Sequence, residues 1–155
     1  MKHAEIILYV AEQQRSAQFY RAVLQREPLL DVPGMTEFRL GEQCTLGLMP
    51  EDGIARLLGP SITHPAQAGG VPRCELYLHV DDVYEAFDHA RRCGARVLDA
   101  PCRRDWGHIV GYLADPDGHV LAFAGSEAKG DGQEHASDGV GDSMPFVPGS
   151  GQEAL

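Results

Sequence analysis

Two glutamates hold matching places in two similar stretches, AEIILYV at residues 4–10 and CELYLHV at residues 74–80, an offset of 70. A strand sends alternate side chains to opposite faces. Glu5 then shares a face with Ile7 and Tyr9, and Glu75 shares one with Tyr77 and His79. The opposite faces, Ile6, Leu8 and Val10 in one stretch and Leu76, Leu78 and Val80 in the other, are purely apolar and belong against helices. Acidic and aromatic groups gathered on one side describe a lined hollow better than an open sheet surface. Carboxylates there can move protons or hold a cation; two structural arginines, Arg39 or Arg73, can equally satisfy them. A second group lies in the DWGH stretch. Trp106 can stack on a planar or cationic ligand or cover the edge of the core, and His108 can donate a hydrogen bond or a proton or simply be solvated.

The elements that must position these residues repeat. Each acidic strand is followed by a helix pattern. Ala17, Tyr20, Val23 and Leu24 mark the buried side of a helix over Gln13–Leu24, and Val83, Ala86, Phe87, Ala90 and Cys93 recur at three- and four-residue steps in the second. Asp82 with Glu85 forms a capping box, and Gly94 supplies the stop. Short strands follow each helix: Pro28–Leu30, Glu37–Leu40 and Thr45–Met49, then Arg96–Leu98, Ile109–Leu113 and His119–Phe123. The DPDG run, Asp115 to Gly118, is a hairpin turn and carries no chemistry. His119 alternates with Leu121 and Phe123 toward the helices, which predicts a packing role. The order β-α-β-β-β thus occurs twice, a duplication. It divides the chain into a module at 1–50, a Gly- and Pro-rich linker at 51–70 with one helical turn near Ile54–Leu58, a module at 71–125, and an acidic Gly- and Ser-rich tail at 126–155 without fixed structure.

Bulk properties narrow the function. A formal net charge of −10 excludes a phosphate-binding surface of clustered Lys and Arg, so no nucleic-acid partner is expected. The MKHAEIILYV start is broken by Glu5 and is neither a signal peptide nor a membrane span. Four cysteines without CxxC spacing read as reduced cytoplasmic thiols.

The β-α-β-β-β duplication, SAQFYRAVL after the first strand, VDD before the second helix, WG at Trp106–Gly107 and DPDGHVLAFA together resemble the vicinal oxygen chelate superfamily of glyoxalases, bleomycin-resistance proteins and extradiol dioxygenases, over about residues 3–125. The resemblance implies an α+β fold, tandem βαβββ modules forming a curled mixed sheet around a cleft, with modules paired in a chain or across a homodimer. Glyoxalase-type relatives place metal ligands at positions that fall here on Glu5, Gly47, Glu75 and Ala122. Gly and Ala offer no donor, and a catalytic divalent ion wants at least three protein ligands. No cofactor is therefore expected, and a loosely held divalent ion is the disfavoured alternative. Losing side chains at Gly47 and Ala122 should enlarge the hollow, and modules facing each other as in relatives would bring Glu5 and Glu75 together as an acid–base pair. The expected function is binding of a small organic molecule in an acidic, aromatic cleft, or metal-independent chemistry there. Glu5 and Glu75 are the candidate catalytic residues, and Tyr9, Tyr77, His79, Trp106, His108 and Arg39 the candidate ligand contacts. The alternative is a metal-dependent glyoxalase-type lyase or isomerase built on the same two glutamates.

Overall fold

The structure, a computed structural model, describes residues 3–126. Past Ser126 the expected acidic tail lies outside the described residues. The first module runs β1 (Ala4–Val10), α1 (Gln13–Leu24), β2 (Leu30–Val32), β3 (Met35–Gly41) and β4 (Cys44–Pro50). The second runs β5 (Glu75–His79), α3 (Val83–Arg92), β6 (Arg96–Arg103), β7 (Ile109–Ala114) and β8 (Val120–Gly125). Each forms a four-stranded mixed sheet with one topology: β1-β4-β3-β2 and β5-β8-β7-β6, first and last strands parallel and the rest antiparallel. The two sheets stay separate and do not close into a barrel.

Local chemistry places these elements. The Asp82 side chain accepts from the Glu85 backbone N–H at 2.9 Å, capping α3 as the spacing predicts. At Gly94 φ is +101°, a left-handed conformation suited to glycine just past the helix end. The α1 helix has Glu12 at its N-cap and no side-chain cap of its own. Instead the other module supplies the anion. Asp117, in the turn before β8, accepts from Ala11 N at 3.2 Å, from Ser16 Oγ at 2.7 Å and from the Arg15 guanidinium, where the helix dipole favours negative charge.

Next to it, Asp115 is fully buried. Its carboxylate accepts from Tyr20 Oη at 2.8 Å, from His119 Nδ1 at 2.9 Å and from the backbone N–H groups of Asp117 and His119. The DPDG run therefore makes the hairpin its sequence predicts and also locks the second module onto the first. His119 is a partner of Asp115 and not the packing residue its alternation suggested, because a buried carboxylate must be paired. A third link joins the helices, His89 Nε2 donating to the Ala22 carbonyl at 2.8 Å.

The core is continuous across both modules, with Leu8, Val10, Tyr20, Phe38, Leu46 and Leu48 meeting Phe87, Leu113, Leu121 and Phe123. Ile6 departs from expectation: it is 41% exposed. Helix α1 packs over β3 and β4, leaving Ile6 at a groove shared with Leu40, Cys44 and the whole of β5, Glu75–His79. The segment between modules is more than a linker with one turn. It forms α2 (Glu51–Leu58) and two 3-10 turns, Gly59–Ser61 and Pro65–Ala68. All four cysteines are free, and among the described residues no helix is long and apolar enough to cross a membrane.

Candidate functional site

The aromatic residues converge on the face of the second sheet away from its helix. Along β5, Glu75, Tyr77 and His79 alternate with Leu76 and Leu78, and the register sets Tyr77 beside Ala122 of β8, which in turn faces Tyr112 of β7. Ala122 and Ala124 form a small buried group with Val110, and Tyr77 and Tyr112 pack against it. Short side chains in the middle strand let the rings of its neighbours lie across it. The loop between β6 and β7 then folds over this floor. It is closed by Arg104 N donating to the His108 carbonyl at 2.8 Å and Gly107 N to the Arg104 carbonyl at 2.9 Å, with Gly107 at φ +91°.

That loop delivers Trp106 and His108 to Tyr77. The Trp106 indole donates to Tyr77 Oη at 3.1 Å, and the same oxygen lies 3.1 Å from His108 Nδ1. An indole N–H only donates, so Tyr77 Oη accepts there and has its own proton to give to His108. The His79 ring packs edge-on to both, its centroid 5.4 Å from that of Tyr77 and 5.3 Å from that of His108. Trp106 is 58% exposed, so its indole face is open to a ligand.

Charge surrounds this group. Burial pushes the Tyr112 hydroxyl pKa up, the nearby Glu75 carboxylate pushes it further, and Arg104 opposes both. The Arg104 guanidinium lies 5.1 Å over the Tyr112 ring, held by Asp99 at 2.6 Å and by the Val110 carbonyl at 3.3 Å. Tyr112 and Arg104 were not foreseen as part of this face. The alternation of Val110 with Tyr112 along β7 was the available signal.

The first sheet presents something different. Glu5 shares a face with Ile7, Gly47, Thr45, Glu37 and Arg39 through the β1–β4–β3 register. A Cβ added to Gly47 would lie 2.8 Å from Glu5 Oε1, 3.1 Å from Ile7 Cγ1 and 3.3 Å from Met35 Sδ. The space above Gly47 is thus already filled. Ala122 is likewise wholly buried under the two tyrosines. Losing the two side chains has not enlarged a hollow as expected, because neighbouring side chains close in over short residues.

The structure therefore brings together Tyr77, His79, Trp106 and His108, with Glu75 on the same strand. Glu5 and Arg39 lie on the other sheet. Tyr9 lines a separate cavity beside the inter-module segment. Among the described residues no cation pairs with Glu5 or Glu75, so neither Arg39 nor Arg73 satisfies them. A metal is ill matched to this chain. Position 47 has no donor and is filled by Glu5, position 122 has none and is covered, and among the described residues no three His, Cys, Asp or Glu are grouped to hold an ion.

Duplicated βαβββ modules, each with its first and last strands paired in parallel, define a protein of the glyoxalase fold. A model of the glyoxalase/bleomycin resistance protein/dioxygenase superfamily matches residues 1–123, and the chain belongs to that superfamily. Solved structures agree in fold. A glyoxalase-related enzyme from Fulvimarina pelagi is 22% identical over 79% of this chain and 86% of its own, with a TM-score of 0.68. A protein of unknown function from Agrobacterium tumefaciens is 25% identical over 81% and 94%, with a TM-score of 0.68. A glyoxalase/bleomycin resistance protein/dioxygenase from Nocardioides is 18% identical over 84% and 87%, with a TM-score of 0.66. A comparison with curated proteins gave no match.

Proposed function

We propose that this protein binds a small organic molecule with a planar or cationic portion on the aromatic face of its second sheet. The observation that carries the reading is the Tyr77 hydroxyl held between the Trp106 indole and His108 at 3.1 Å each, with His79 edge-on beside them. Rings fixed by one another are pre-organised to stack on a flat or positively charged group. Glu75, on the same strand face, supplies the counter-charge. In this reading Glu5 joins the site from the first sheet of a second copy in a homodimer, where the two carboxylates act as acid and base if the ligand is turned over. Four free thiols agree with a cytoplasmic place of action.

Trp106 is the chain's single tryptophan, so its emission reports directly on this face. Titration with planar aromatic amines and matched neutral aromatics should change that emission saturably and favour the amines. Glu75→Gln should weaken amine binding roughly tenfold, as loss of one charge-assisted contact. Unchanged binding in both Glu5→Gln and Glu75→Gln would remove the acidic groups from the account. The metal-dependent alternative is discriminated by elemental analysis of protein purified without chelators; a stoichiometric transition metal would revive it.

A further inference from the structure

The segment between the modules encloses a second hollow. A cavity of about 700 Å³ lies between α2 and the Pro65–Ala68 turn on one side and β1 with the turn before β8 on the other. Its lining includes none of Tyr77, His79, Trp106 and His108. The volume falls within the ~300–1,000 Å³ typical of small-molecule sites. Ile7, Tyr9, Leu58, Ile62 and Val71 make its apolar wall. Four of them stay uncovered in the folded chain, at 39%, 37%, 42% and 65% exposure for Ile7, Tyr9, Leu58 and Val71. Apolar surface gathered in a recess in this way marks a binding site more often than a stray surface residue does.

The charges on the lining decide what fits. Asp117 is held by Arg15 and Ser16, His64 is paired with Asp52, and His119 with Asp115. Glu51 stands in the first turn of α2, where the positive end of the helix offsets its charge. Arg73 is left as a cation with no ion-pair partner among the described residues. An apolar wall with one uncompensated guanidinium suits a molecule that is greasy along its length and anionic at one end. Guanidinium and carboxylate match in shape as well as charge.

We propose that this cavity is a second ligand site, taking an amphipathic carboxylate whose apolar body lies against Leu58, Ile62 and Val71 and whose carboxylate pairs with Arg73. It does not depend on the reading of the aromatic face. The test uses decanoate and decanol as probes on the full chain, by calorimetry and by methyl NMR shifts. Decanoate should saturate at one per chain, move the methyl signals of Leu58, Ile62 and Val71, and leave Trp106 emission unchanged. Arg73→Gln should weaken decanoate roughly tenfold, the scale of one charge-assisted hydrogen bond, while decanol changes less than about twofold. Leu58→Glu, at a partly exposed position, should weaken both probes. Decanol binding as tightly as decanoate, decanoate binding that ignores Arg73→Gln, or methyl shifts at the aromatic face instead would each overturn the proposal. So would methyl shifts that follow protein concentration without any probe, since a second copy would then occupy the cavity.

Discussion

The two modules share strand order and helix placement, yet they use those frames for opposite ends. In the first sheet Gly47 lies under the Glu5 carboxylate and the Ile7 and Met35 side chains, a closed patch of mixed character. In the second, Ala122 lies under two tyrosines, and a loop adds Trp106 and His108 to make a linked aromatic group. Their turns diverge as well. Gln43, between β3 and β4, gives its carbonyl to Ala4 within its own module. The equivalent turn before β8 sends Asp115 and Asp117 into the other module. One copy of the duplicated unit carries the linked aromatic face and the joint, while the other lends Ile7 and Tyr9 to the cavity beside the inter-module segment. A short residue in a sheet is therefore no vacancy. What its neighbours lay over it decides whether the spot becomes packing or a site.

The sharpest way to break this contrast is through the joint. Asp115→Ala removes a buried acceptor and orphans Tyr20 Oη and His119. A loss of about 3–5 kcal/mol in urea unfolding is expected, as for one partner of a buried pair. A loss under about 1 kcal/mol would mean that the modules do not depend on this turn. The glycines come next. A Cβ at Gly111 would sit 2.6 Å from Phe87 Cδ2 and 2.8 Å from Pro101 Cγ, both in rigid rings, so Gly111→Ala should cost about 1–3 kcal/mol. Gly47→Ala meets mainly the end of the Glu5 side chain, which can swing away, and should cost less than about 1 kcal/mol. Equal shifts in thermal midpoint for the two variants would erase the distinction between the sheets.

Smaller effects sharpen it. Tyr77→Phe takes away the acceptor of the Trp106 indole and should lower stability by about 0.5–1.5 kcal/mol. It should also shift Trp106 emission. The gentlest perturbation is pH. Burial alone would raise the Asp115 pKa, but the hydrogen bond and charge of His119 and the Tyr20 hydroxyl outweigh it and hold it below its ordinary value. Burial alone would lower that of His119, but Asp115 outweighs it and raises it. The Asp115 contribution is therefore present above about pH 3.9 and lost as pH falls through its depressed pKa. That of His119 is full below about pH 6.5 and lost as pH rises through its elevated pKa. The urea midpoint should peak between these limits. His119→Gln should abolish the decline on the alkaline side, and an unaltered decline in that variant would separate the pair from stability.

Much of this was readable in the chain. The repeated strand pattern and the three- and four-residue steps predicted both helices, with α1 at Gln13–Leu24 as found. Alternation along β5 put Glu75, Tyr77 and His79 on one face, and the DWGH stretch supplied Trp106 and His108. Other parts were hidden because they depend on contacts between distant segments. The reach of Asp117 to α1 crosses about a hundred residues, and no local period encodes it. The inter-module segment read as a Gly- and Pro-rich linker with one helical turn near Ile54–Leu58, while the full extent of α2 and the cavity beside it arise from packing against β1. The strand extents also ran longer than the pattern implied, β6 reaching Arg103 and not Leu98, because ladder partners extend a strand beyond its apolar stretch.

Periodicity and turn residues were enough to establish a duplicated βαβββ fold, since each element follows from which residue types stand two, three or four places apart. The missing donor set followed from the family resemblance, which fixes the positions that Gly47 and Ala122 occupy. Which side chains fill the places of the missing donors, which turn ties the modules together, and where a cavity opens beside β1 are outcomes of long-range packing. They depend on distances between residues far apart in the chain, and those distances exist only once the core has closed.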